Sequence, residues 1–416
     1  MVAVVGGGQL ARMMAAPAAA LGVHLRVLAE SPQASAAQVV ADAPVGKAAD
    51  DGDLHRLVSS PVPADVLTFE HEHVPGDTLR EIAAAGTPVR PSAAALLYAQ
   101  DKIEMRTRLA ALGVPVPRWS AVGSVAELEA FLAVVGGRAV VKTSRGGYDG
   151  KGVRVVNSAE DVADWFEAAH AGGPALLAEE LVPFVRELAI LAARSPSGEV
   201  RTWPVVESVQ VQGVCSEVVA PAPGLHPDTA RAAQEIAVRV ADGLDVTGVL
   251  AVELFEVRGG GALFDVAPGA ALVETTGGAD DGAPGPLLVN ELAMRPHNSG
   301  HWTIDGATTS QFEQHLRAVL DLPLGDTSPR AEWTVMANVL GSARAELTDA
   351  LAEVTARDPG AKVHLYGKDV RPGRKLGHVT VSGSDLADVR ARAEAAAAVL
   401  RGDWNGPIYW GGGEDG

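Results

Sequence analysis

Asn290-Glu291-Leu292-Ala293-Met294-Arg295-Pro296-His297-Asn298-Ser299-Gly300-His301-Trp302 gathers a carboxylate, an arginine, two amides and two imidazoles into one short run. It has almost no apolar stretch in which to hide them. Leu287-Leu288-Val289 feeds it as a strand. Upstream, Gly248-Val249-Leu250-Ala251-Val252-Glu253-Leu254-Phe255 is a second strand with a single acid in an apolar run. Two acids, Glu253 and Glu291, at the ends of neighbouring buried strands suit a hard, oxygen-seeking cation such as magnesium. Chemistry on a phosphate follows as the expectation.

The bulk properties fit that expectation. A chain of 416 residues holds two or three domains. Hydrophobic content of 47% and charged content of 21% are globular values. The net charge of −18 argues against a broad basic surface for nucleic acid, so the few basic residues are expected to gather at an anionic ligand. Cys215 is the only cysteine, which excludes disulfides and thiolate clusters within one chain. No apolar run reaches the ~18 residues of a membrane span, and Val2-Ala3-Val4-Val5 opens without a charged leader. A cytoplasmic protein is expected.

Three segments are legible. Residues 1–96 alternate short strands (Val2–Val5, His24–Ala29, Val66–Phe69) with helical composition (Leu10–Leu21), which predicts a parallel α/β unit. Residues 97–329 carry most of the candidate chemistry. Residues 330–416 begin with a strand, Trp333–Leu340, pass Val363–Tyr366, and end in an alanine- and arginine-rich helix near 385–401. Residues 258–286, rich in Gly, Ala, Pro and Asp, separate the two acid-bearing strands as a long loop at a hairpin tip.

Other motifs point at phosphate. Ala139-Val140-Val141-Lys142 is a strand delivering a lysine. The stretch Thr143–Gly152, with Gly146-Gly147-Tyr148-Asp149-Gly150-Lys151-Gly152, then turns into the strand Val153–Val156. Glycines at a hairpin tip let backbone N–H groups lie against phosphates, and Lys142 adds a point charge. The spacing is not that of a P-loop. Leu176–Val182 is an apolar strand ending in Glu179 and Glu180, followed by Glu187. Its edge could read an adenine and a carboxylate could hold ribose hydroxyls, or it is a solvated strand end. Gly6-Gly7-Gly8 after a strand resembles a dinucleotide turn but has Ala11 where the last glycine belongs; its amides suit phosphate in any case. Alternation sends Glu70 and Glu72 to one face and His71 and His73 to the other. Lys368, Arg371, Arg374 and Lys375 form a basic cluster, read as a phosphate clamp in preference to a solvated turn.

Glycine hairpin after a strand lysine, adenine-type strand and paired late acids together resemble the ATP-grasp superfamily. Within it the chain is similar to the N5-carboxyaminoimidazole ribonucleotide synthase family. The shared signatures are Gly6-Gly7-Gly8-Gln9-Leu10-Ala11-Arg12-Met13, Thr68-Phe69-Glu70, Gln100-Asp101-Lys102, Gly146–Gly152, Asn290–Trp302 and Arg371–His378, in order from end to end. The resemblance implies a mixed α/β (α+β) ATP-grasp fold. A Rossmann-like pre-ATP-grasp domain spans 1–96, the ATP-grasp domain 97–329 with its lid near 118–182, and a small C-terminal domain 330–416.

The resemblance also implies roles. Lys102 and Lys142 contact ATP phosphates, and Gly147, Tyr148, Asp149, Gly150, Lys151, Gly152 and Val153 cover them. Glu179, Glu180, Leu181 and Val182 hold the adenine edge, Glu187 the ribose, and Gln210, where many relatives have histidine, makes a nucleotide-side contact. Glu253 and Glu291, with Asn290 beside them, bind Mg2+. Arg295, His297 and Asn298 line the carboxylation site, with Tyr148 and Asp149 near the aminoimidazole. Lys368 and Arg374, with Arg371 and Lys375, clamp the ribotide phosphate; Gln9, Leu10, Glu70 and Glu72 belong to the same side. The implied reaction is ATP- and bicarbonate-dependent carboxylation of 5-aminoimidazole ribonucleotide through carboxyphosphate, by a homodimer. Alternatives are another ATP-grasp carboxylase or ribotide transformylase, a non-catalytic nucleotide sensor, or, on Gly6–Gly8 alone, a nicotinamide dehydrogenase.

Overall fold

The structure is a computed structural model that describes residues 1–146, 152–211, 213–257 and 285–403. Its three sheets follow the three predicted stretches only in part. Strands β1 (Val2–Val5), β2 (Leu25–Leu28) and β3 (Val66–Phe69) form a parallel sheet in the order β2-β1-β3. All twelve of their residues are buried, because helices cover both faces of a parallel sheet. Helix α1 (Gln9–Ala20) starts directly after the glycine turn and buries Leu10, Ala11, Met14 and Ala18.

Strands β4 (Trp119–Val122), β5 (Ala139–Thr143), β6 (Val153–Val156) and β7 (Leu176–Glu180) make a separate antiparallel sheet, ordered β4-β7-β5-β6. The predicted β5–β6 hairpin is present, with Lys142 opposite Val153. Helix α2 (Lys102–Ala111) precedes this sheet. Asp101 caps it by accepting from the Ile103 and Glu104 amides, and Lys102 N donates to Ser144 O (2.9 Å), so its start is docked on the end of β5.

The largest sheet has nine strands: β8 (Phe184–Arg194), β9 (Val200–Thr202), β10 (Val206–Val211), β11 (Val214–Ala220), β12 (Gly248–Val257), β13 (Leu287–Ala293), β14 (Trp333–Leu340), β15 (Lys362–Leu365) and β16 (Lys375–Gly383). The order is β13-β12-β8-β10-β11-β14-β16-β15, with β9 on β8. The last segment therefore does not own a sheet: Glu217–Ala220 of β11 pair directly with Thr334–Ala337 of β14. Helices α3 (Pro227–Gly243), α4 (Gln311–Val319) and α5 (Leu386–Arg401) cover it, α3 and α5 with alanine-rich buried faces that approach the strands closely. Buried His315 of α4 joins two sheets. Its Nδ1 accepts from Val249 N of β12 (3.1 Å) while Nε2 bonds the Thr68 hydroxyl of β3 (2.8 Å). Among the described residues no helix is long and apolar enough to cross a membrane.

Two sequence expectations change here. Glu253 and Glu291 do not end their strands but sit within them, as direct partners in the antiparallel register of β12 and β13, next to a bulge at Glu253/Leu254. Residues 70–73 are not strand: β3 stops at Phe69, so alternation does not govern Glu70–His73. Residues 258–284 and 147–151, with the covering loop and the candidates Gly147, Tyr148, Asp149, Gly150 and Lys151, lie outside the described residues.

Candidate active site

The strand pairing that joins Glu253 to Glu291 also fixes the centre of a cavity of about 470 Å³. Its walls come from both antiparallel sheets. Lys142 and Val153 enter from the β5–β6 hairpin, Glu179 to Val182 from the end of β7, Glu187 from β8 and Gln210 from β10. Glu253, Asn290 and Glu291 form the floor, with Lys102 beside them, and Arg295, His297, Asn298 and Lys375 close one end.

At the first end the charges are interlocked. Lys102 Nζ lies 2.5 Å from Glu291 Oε1. Lys142 Nζ lies 2.6 Å from Glu179 Oε2 and donates to Asn290 Oδ1 at 3.3 Å. Buried Arg106 holds the other Glu179 oxygen (2.5 Å). Burial opposes ionisation of Glu179, but Arg106 and Lys142 outweigh it and hold the carboxyl down at about 2. Burial likewise opposes ionisation of Glu291, and Lys102 and Lys142 overcome it. At Glu253 the pull of Lys375 and Arg295 is the smaller effect. Burial, and then the charges of Glu291 and Glu187, push it up to about 8. Two carboxylates paired across the register, one of them raised by burial and by its acidic neighbours, form a hard-oxygen donor set that a divalent cation would suit. Among the described residues no group of three or more His, Cys, Asp or Glu side chains forms a metal cage, so further ligands would be Asn290, water or substrate oxygens.

At the other end Arg295 Nε lies 2.8 Å from Glu72 Oε1, and His297 Nε2 lies 3.4 Å from Glu253 Oε1. Burial, Arg295 and Lys375 hold His297 neutral, at about 3. Buried Gln311 clamps its backbone, accepting from His297 N and donating to His297 O, both at 2.8 Å. Among the described residues buried Asn298 Nδ2 has no oxygen or nitrogen partner, with only the Cys215 thiol near it, which leaves a donor for a ligand.

The remaining candidates divide. Leu181 is exposed and Val182 buried at the cavity wall, and burial raises the Glu187 carboxyl. Glu180 accepts from Arg118 N (2.9 Å), and Gln210 Nε2 donates to Ser208 Oγ (3.1 Å). Glu70 accepts from Gly8 N (2.5 Å) and Ala11 N (3.1 Å), so the protein's own carboxylate occupies the start of α1 where the sequence suggested phosphate. Leu10 presents its side chain to the core, not to a ligand. The members of the basic cluster have different described neighbours. Lys368 reaches Gln9 of α1, Lys375 lines the cavity, and Arg371 and Arg374 lie 3.6 and 3.7 Å from exposed Asp369. Sequence reasoning passed over Arg106 and Gln311. The signal for Arg106 is its i+4 spacing from Lys102, which puts both on one face of α2; Gln311 carries none.

Comparison with known proteins agrees with this geometry. The ribonucleotide synthetase preATP-grasp domain family matches residues 1–100, the ATP-grasp domain family 107–312, and the phosphoribosylaminoimidazole carboxylase C-terminal domain family 334–392. The N5-carboxyaminoimidazole ribonucleotide synthase of Mycobacterium tuberculosis is 52% identical over 408 residues, covering 97% of this chain and 89% of its own. The chain belongs to the N5-carboxyaminoimidazole ribonucleotide synthase family. The synthetase of that family from Thermus thermophilus superposes with a TM-score of 0.79 at 36% identity, covering 98% of this chain and 100% of its own. The synthase of that family from Aspergillus clavatus, solved in complex with ADP and 5-aminoimidazole ribonucleotide, superposes equally well at 30% identity, covering 96% and 98%.

Proposed function

We propose that the cavity between the two antiparallel sheets is where ATP drives carboxylation of 5-aminoimidazole ribonucleotide. As a family member the chain is an ATP-dependent carbon–nitrogen ligase of purine biosynthesis, giving the N5-carboxylated ribotide. The observation that carries the site assignment is the convergence of Lys102, Lys142, Arg295 and Lys375 on the register-paired acids Glu253 and Glu291.

Bicarbonate is a poor electrophile because hydroxide leaves badly. Transfer of the ATP γ-phosphoryl group to a bicarbonate oxygen gives carboxyphosphate and ADP. The ribotide amine then attacks its carbonyl carbon, the C–O bond to phosphate breaks, and the amine loses a proton. Glu253 and Glu291 would hold magnesium, which would supply charge neutralisation on the phosphates. Lys142 and Lys102 add fixed positive charge at the phosphoryl end, and Arg295 does so where the carboxylate develops. Neutral His297 and Asp149 are the two candidates for the departing proton. The adenine lies against the Glu179–Val182 edge with Glu187 at the ribose. The ribotide side comprises Gln9, Lys368 and Arg374, with Glu70 less directly. The division at 96 and 329, a homodimer and a cytoplasmic location complete the reading.

The test is ADP release from magnesium-ATP and bicarbonate, with and without 5-aminoimidazole ribonucleotide. Ribotide-dependent turnover, with label from bicarbonate in an acid-labile product, is the expected result. ATP hydrolysis indifferent to the ribotide would point to another acceptor.

A further inference from the structure

Arg106 is wholly buried, and each of its three nitrogens has a partner. Nε lies 2.5 Å from Glu179 Oε1, Nη1 donates to Val289 O at 3.1 Å, and Nη2 donates to Asn290 O at 2.8 Å. These partners belong to different sheets: Glu179 is on β7 of the lid, while Val289 and Asn290 are on β13 of the nine-stranded sheet. Glu179 passes the constraint on, because its second oxygen holds Lys142 Nζ at 2.6 Å. One helical turn earlier on α2, Lys102 holds Glu291.

We infer that Arg106 is a positioning residue, setting the spacing between the lysine of the lid hairpin and the acid-bearing strand at the phosphoryl end of the site. Three physical points carry this. A guanidinium offers a planar fork that serves a carboxylate and two successive carbonyls together, which a lysine ammonium cannot do. The Arg106–Glu179–Lys142 triad sets two cationic side chains against one carboxylate, so its lysine can act on Glu291 and on an arriving anion as well. Depression of the Glu179 carboxyl to about 2 means the link stays ionic across the working pH range. The inference rests on the reading that Lys142 meets the ATP phosphates.

The test uses the full chain with three variants: Arg106→Lys, Glu179→Gln and Lys142→Met. Magnesium-ATP binding is measured by calorimetry, KM for ATP and for the ribotide by turnover, and stability by thermal unfolding. Loss of a residue that orients a ligating group typically costs about tenfold or more in affinity or activity. Arg106→Lys is therefore expected to raise the ATP dissociation constant about tenfold, with the ribotide KM unchanged. That loss should vanish in the Lys142→Met background, because nothing remains to be positioned. Glu179→Gln keeps the side-chain volume and should reproduce the pattern, so it carries the test if Arg106→Lys does not fold. A purely structural arginine would lower the unfolding temperature and weaken both substrates alike, with effects additive to Lys142→Met. Additivity, or unchanged ATP affinity in both variants, overturns the inference. Absence of ribotide-dependent turnover in the parent protein, with tight ATP binding retained, would instead count against the proposed reaction, and the calorimetric cycle would still decide the role of Arg106.

Discussion

Glu253 shows how far a single residue's chemistry depends on what the chain places beside it. Its sequence context, one acid in an apolar strand, announces a special carboxylate but not its protonation state. That state follows from burial and from Glu291 lying opposite, whose own charge is held by Lys102. Pushed up to about 8, Glu253 is expected to hold a proton in the ligand-free site at pH 7. Binding of magnesium-nucleotide should release about one proton, because a metal takes the carboxylate. Calorimetry at pH 7 in buffers of different ionisation enthalpy measures it, and heats independent of buffer would refute the assignment. Glu291→Ala should cripple ATP turnover, and wild-type-like activity in that variant would move the metal elsewhere. Lys102, Lys142, Glu253, Glu291, Arg295 and His297 stand out in the sequence as candidates because motifs bracket them, and all six line the cavity. Arg106 was not, since an arginine within a helix of mixed charge looks solvated until tertiary packing buries it.

Among the elements, strands whose apolar runs end at glycine or acid were legible nearly to the residue, and Val2–Val5, Val66–Phe69 and Trp333–Leu340 match the structure, whereas β4 and β8 to β11 were not read as strands. What alternation could not supply was register. Glu253 opposite Glu291 and Lys142 opposite Val153 are decided by cross-strand packing, which no single strand encodes. The start of α2 is another junction seen only in three dimensions. Asp101 caps the helix and its second oxygen lies 2.7 Å from Arg145 Nε at the end of β5. Asp101→Ala should cost about 1 kcal/mol for the cap and raise the KM for ATP, since Lys102 begins this helix. Denaturant titration and steady-state kinetics check both, and a silent substitution would show that the junction is held without the cap.

Across the whole molecule, His315 ties the N-terminal sheet to the nine-stranded one in a neutral state. Burial holds it at about 3, against about 6.5 in an unfolded chain. The unfolded chain thus takes up a proton that the folded one refuses. The His315 contribution is complete above pH 6.5 and falls as pH drops toward 3, by about 1.4 kcal/mol per pH unit. Urea unfolding of the wild type and of His315→Gln at pH 5 and 6.5 should differ by about one proton in slope; parallel pH dependences would contradict this. The order of the three segments was legible in the sequence, but the pairing of β11 with β14 was not, because long-range strand partners leave no local trace.

That pairing has a consequence for anyone wishing to dissect the chain. Removing everything after residue 329 would not liberate a self-standing nucleotide-binding module. It would strip β14 from β11 and leave Glu217–Ala220 with a bare row of amides and carbonyls. Such an edge recruits other chains, so the truncated product should come out of solution as aggregate, and the last segment has to be expressed and engineered together with the strand it covers.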